Sequence, residues 1–121
     1  MQTWNNIRLA GGEVSATHSH ANNVNWQSVF TISTIYRMKI HAIWLDFVNL
    51  TQDMNMRLSY TIDGTNARIF WADTWLVAEN DGVLVDVPRA IANDLLLELQ
   101  SAVVEGLARD IPYAIITETM E

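Results

Sequence analysis

Residues 54 to 70, MNMRLSYTIDGTNARIF, constrain this chain more than any other stretch. Met54, Met56, Leu58, Tyr60 and Ile62 alternate with Asn55, Arg57, Ser59, Thr61 and Asp63. Successive strand side chains point to opposite faces, so this spacing puts one face in a core and the other in water. Asp63-Gly64-Thr65-Asn66 follows, and a second apolar run begins at Ala67. Asp-Gly between two such runs marks a hairpin, because the turn needs positive φ and glycine supplies it without a steric penalty. The result is an antiparallel sheet with one wet face.

The flanking segments extend the sheet. VFTIST (29 to 34) and IYRMKIHAIWLDFVN (35 to 49) are rich in β-branched and aromatic residues. Tyr36, Met38, Ile40, Ala42 and Trp44 share a face, and Trp44 is therefore expected in the core. From Ile43 the opposite face, Ile43, Leu45 and Phe47, turns apolar as well. Such a strand either becomes buried on both sides or switches faces at a bulge. VLVDV (83 to 87) reads as a further strand and IPYAIITETME (111 to 121) as the last, with Tyr113, Ile115 and Thr117 on one face.

Residues 88 to 109 are ambiguous. Pro88 at a first helical position, abundant Ala and Leu, and a stop at Gly106 suit a helix near 89–106. As β-structure, Asn93-Asp94 turns the chain and Leu95, Leu97 and Leu99 face inward. The strands on both sides favour the second path, with the helix as the alternative. The fold expected is an all-β antiparallel sandwich, jelly-roll-like, with an N-terminal arm or edge segment over residues 1–25 and the sandwich domain over 26–121.

At 121 residues, half of them hydrophobic, the chain suffices for one core. Its formal charge is −7, with 14 acidic and 7 basic residues and a single lysine. Phosphate backbones and anionic membranes need clustered Lys and Arg, so neither nucleic acid nor membrane is an expected partner. The absence of cysteine excludes disulfides, thiolate catalysis and Cys-ligated metals. MQTWNNIRLAGGEV has neither the basic start nor the apolar core of a signal peptide, and no apolar run approaches membrane-spanning length.

Sites of chemistry are sparse. His18-Ser19-His20 places two imidazoles on one strand face, a metal-like spacing that needs a third ligand; solvated histidines in an Asn-rich loop are the plainer expectation. The cluster Glu79-Asn80-Asp81-Gly82 reads as a turn before a calcium loop. No nucleophile elbow and no phosphate loop occur. Catalytic residues, cofactors and metals are all expected to be none. Of the five tryptophans, Trp4 and Trp26, flanked by Asn, are the candidates for an interface.

Three stretches also carry a resemblance: 36 to 70 with its YTIDGTN turn, 79 to 87, and 101 to 118 with Arg109-Asp110-Ile111-Pro112-Tyr113. Together they resemble small β-sandwich structural proteins of tailed bacteriophages and related viruses, the decoration, cement or minor head and tail proteins. The resemblance implies a non-enzymatic virion protein, assembled in the host cytoplasm, a homo-oligomer contacting itself and other virion proteins such as the major capsid protein. A carbohydrate- or receptor-binding β-sandwich is the alternative, expected to show exposed, coplanar aromatic rings.

Overall fold

A computed structural model describes residues 12–32, 38–61, 65–79, 82–85, 89–91 and 94–119. Among the described residues there are nine strands: β1 (Gly12–His20), β2 (Gln27–Ile32), β3 (Met38–Asp46), β4 (Met54–Thr61), β5 (Ala67–Trp75), β6 (Gly82–Val85), β7 (Arg89–Ile91), β8 (Leu95–Ser101) and β9 (Arg109–Thr119). One sheet runs β1-β9-β3-β6, with β7 also on β3; the other runs β2-β8-β4-β5. Every pairing is antiparallel.

The pairings nest. β4 pairs with β5, β3 with β6 and β7, β2 with β8, and β1 with β9. The chain is thus one long folded-back ribbon, rolled so that its levels alternate between two sheets. This is the jelly-roll wrapping of an eight-position sandwich, with β6 and β7 sharing one position. The 54–70 hairpin is the innermost level of the nest; its pairing runs to Thr61 opposite Ala67, and its turn residues 62–64 lie outside the described residues.

The core follows the alternation. Met54, Met56 and Leu58 of β4 and Leu95, Leu97 and Leu99 of β8 are all buried, facing Ile111 and Ile115 of β9. The described part of the ambiguous segment holds the strands β7 and β8, Pro88 and Asn93 lie outside the described residues, and no helix occurs among the described residues. Leucine tolerates a strand here because three of them, two apart, reach one hydrophobic layer, and burial outweighs the weak intrinsic helix preference. Ser59, expected on the wet face, is also buried, at 6% exposure.

β3 corrects the expectation for Trp44. Ile40 pairs with Thr117 of β9 but Ala42 pairs with the very next residue, Ile116, so His41 is an extra residue in β3. Ile40 and Ile43, three apart, are consequently both fully buried. Beyond the bulge the inward set is Ile43, Leu45 and Phe47, and Trp44 points away from the core with 49% of its surface open.

Candidate assembly surface

Four connections converge at one end of the sandwich: β1–β2 (21–26), β3–β4 (47–53), the described part of β5–β6 (76–79) and β8–β9 (102–108). The register places them there, since His20 ends β1 opposite Arg109, and Met54 starts β4 opposite both Ser101 and Trp75.

A buried carboxylate braces this end. Glu105 has 1% of its side chain exposed. Its Oε1 accepts the Thr51 N–H and the Thr51 hydroxyl, both at 2.8 Å, and its Oε2 accepts the Gln52 N–H at 2.9 Å. Arg109 Nε lies 3.3 Å from Oε1, close enough for an ion pair though without an aligned hydrogen bond. A carboxylate withdrawn from water needs this many donors to offset its lost hydration. Other ties complete the bracing. Asp53 takes the Val77 N–H on its carboxylate at 2.9 Å and the Ala102 N–H on its carbonyl at 3.0 Å. Asn22 Oδ1 accepts the N–H of Gly106 at 2.9 Å. Gly106 has φ of 97°, a conformation open to glycine and strained for other residues.

The sequence gives reasons for the first loop too. Gln27 Oε1 accepts the Ala21 N–H at 2.8 Å, while its Nε2 donates to the Ala21 carbonyl and to Asn23 Oδ1. The Asn-rich stretch is thus a set of local backbone mimics, as short polar side chains supply in turns.

These fixed loops carry apolar side chains outward. Val24, Val48, Leu76, Val77, Val103, Val104 and Leu107 each keep between 43% and 57% of their surface exposed, and all seven lie on the four loops. Scattered exposed aliphatics are ordinary; here seven lie on one braced end.

Beneath them lies the histidine pair. His20 is fully buried, which corrects the expectation of solvated imidazoles. Its Nε2 lies 2.9 Å from Ser101 Oγ and 3.4 Å from Gln27 Nε2, and its Nδ1 lies 3.0 Å from His18 Nε2. A neutral ring protonated on Nδ1 satisfies all of these, accepting from Ser101 and donating to His18. Desolvation by burial, then the neighbouring His18, push the His20 pKa down to about 4, against a smaller opposing pull from Glu105; burial also lowers that of His18. Ser101 and His20 sit at the spacing of a nucleophile and its base, but Ser101 is 1% exposed and no substrate carbonyl can reach it. No group of three metal-ligating residues occurs among the described residues.

The remaining candidates separate. Trp4 lies outside the described residues. Trp26, half-buried, holds its ring 3.9 Å below the Arg57 guanidinium, and Arg57 Nε pairs with Glu98 at 2.8 Å on the outer face of the second sheet. Arg57→Ala is expected to cost about 1 kcal/mol, the sum of a partly buried ion pair and a cation–π contact, read as a lower urea midpoint. Glu79 closes its own turn, accepting the Leu76 N–H at 3.2 Å, while Asn80 and Asp81 lie outside the described residues. The sequence missed Glu105 altogether. Its only trace was a lone acidic residue beside glycine in an apolar stretch.

No family model matches the chain, and no curated protein matches it in sequence. Solved structures do. The chain is similar to the Yersinia pseudotuberculosis-derived mitogen, at TM-score 0.54 and 6% identity over 92% of this chain and 88% of that one. It is equally similar to a chain of the Bacillus endospore appendages, a family of disulfide-linked pili, at TM-score 0.54 and 10% identity over 90% and 86%. A chain of the infectious bursal disease virus Gx strain matches at TM-score 0.49 and 15% identity, over 92% of this chain and 30% of that one. At these identities the likeness is one of fold.

Proposed function

We propose that this protein is a non-enzymatic structural subunit of a virus particle, a capsid decoration, cement or minor head protein. It docks through its braced loop end to copies of itself and to other virion proteins such as the major capsid protein. The observation that carries this reading is the set of seven half-exposed aliphatic side chains on four mutually hydrogen-bonded loops. Rigid loops lose little entropy on docking, so the apolar burial is retained as affinity. Each such side chain has about half its area still to bury, on the order of 1 kcal/mol apiece. Trp26 and Trp4 are kept as the interface candidates, since aromatic residues are enriched at the buried centres of contacts. Without cysteine, no disulfide joins the copies. The net charge of −7 works against association, so contacts tighten as salt rises.

Light scattering of the full chain tests this together with cryo-microscopy of native particles. The expected result is a defined oligomer that falls to monomer in a Val104→Asp, Leu107→Asp double variant with unchanged circular dichroism. A monodisperse monomer in every salt condition, found on no particle, would overturn the reading.

A further inference from the structure

The bulge in β3 leaves a large aromatic side chain on the outer face of the first sheet, where the loop-end contact does not use it. Strand alternation and register put Trp44 beside Ala114 of β9, and Ala114 beside Ser15 of β1. Two residues along each strand, the same face carries Asp46, Pro112 and Thr17, with Thr17 opposite Pro112. All six line an open trough of about 710 Å³. The small side chain of Ala114 and the flat ring of Pro112 leave space beside the indole, which would otherwise be filled.

The chemistry of the lining is specific. The trough offers one broad π-face, two exposed hydroxyls on Ser15 and Thr17, and one exposed carboxylate. Asp46 Oδ1 accepts the Val48 N–H at 3.0 Å, which orients the carboxylate and leaves Oδ2 open to a second donor. Among the described residues no lysine or arginine lines it, so none of them there would pair with a phosphate, sulfate or carboxylate ligand. A second copy of the chain fits poorly. A two-fold contact with its axis at the carboxylate would bring Asp46 against its own symmetry mate, with no lysine or arginine among the described lining residues to offset it.

We propose that the trough is a saccharide site for a neutral pyranose of a glycan. The ring's C–H face packs on Trp44 and Pro112. One hydroxyl donates to Asp46 Oδ2, and others exchange hydrogen bonds with Ser15 and Thr17. Aromatic side chains suit such a ligand because they present an apolar body among polar neighbours. The inference goes beyond the assembly reading and holds whether or not the loop end docks. Copies arrayed on a particle would add avidity to a weak single site.

The experiment is a glycan array probed with the full chain coupled multivalently to beads, followed by NMR titration of the free protein with methyl pyranosides. Neutral glycans are expected to give signal and acidic ones none. The Trp44 indole N–H resonance is expected to shift on titration. Trp44→Ala should lower binding more than tenfold and Asp46→Asn several-fold, with the thermal midpoint of both within a few degrees of the parent because both side chains are exposed. Absence of signal from every glycan, binding confined to acidic glycans, or binding unchanged in Trp44→Ala would each overturn the proposal. So would a Trp44→Ala variant that loses oligomerisation instead, since a second copy would then be the occupant.

Discussion

Glu105→Ala is expected to destabilise the protein by about 4 kcal/mol, in the range for removing one partner of a buried, hydrogen-bonded ion pair. Three donors from the β3–β4 loop lose their acceptor at once, and the Arg109 guanidinium is left against a buried void. Hydrogen bonds to a charged group contribute more than neutral ones, so Glu105→Gln should recover only part of the loss. Urea unfolding at pH 7 measures both variants, and a loss below roughly 1 kcal/mol in Glu105→Ala would show that the loop end is held by its other contacts. Because the loops carrying Val48, Val103 and Val104 are the ones released, the alanine variant should also assemble poorly at temperatures where it remains folded.

The second large effect is acid destabilisation through His20. Its folded-state pKa of about 4 lies below the unfolded value of 6.5. Between these values the unfolded chain binds a proton that the folded chain does not, so stability is complete above pH 6.5 and declines as the pH falls towards 4. At about 1.4 kcal/mol per pKa unit, the loss across that window is roughly 3 kcal/mol. The geometry explains the sign. A proton on His20 Nε2 would face the Gln27 amide donor and force the Ser101 hydroxyl to turn, while a charge would sit in a site closed to water. His18 adds to the effect, and the Glu105 carboxylate moderates it. Unfolding midpoints measured from pH 7.5 to 4 should slope downward in the parent and flatten in His20→Gln, whatever the absolute stability of the variant. Equal slopes in the two proteins would remove His20 as the cause.

The sandwich itself was legible because its core obeys period two. Met54 to Leu58 state their inward face in the spacing alone, whereas the spacing of Leu95 to Leu99 suited a helix as well, and the strands on both sides favoured the sheet without excluding the helix. The misplacement of Trp44 has a single cause. One extra residue at His41 is invisible to alternation, and both the bulged and the doubly buried strand were compatible with the apolar residues on either side of it. Glu105 and His20 were illegible for a different reason. The partners that enclose them, Thr51 and Gln52 for Glu105 and Ser101 for His20, are 53 to 81 residues away in sequence, and the nearby His18, Gln27 and Arg109 do not by themselves distinguish a buried carboxylate or imidazole from a solvated one.

The extra residue in β3 has a further consequence for how this chain can vary. A strand of strict alternation ties every position to one parity, so that a change of ligand face upstream disturbs the core downstream. Here parity is reset at His41, and Ile40 on one side of it and Ile43 on the other answer to the same hydrophobic layer through separate frames. Deleting His41 itself would close the bulge and leave Ile40, Ile43 and Leu45 facing the core by plain alternation, and substitutions at Trp44 leave the layer untouched. The outer trough and the inner packing can therefore drift independently, although they are written on one nine-residue strand.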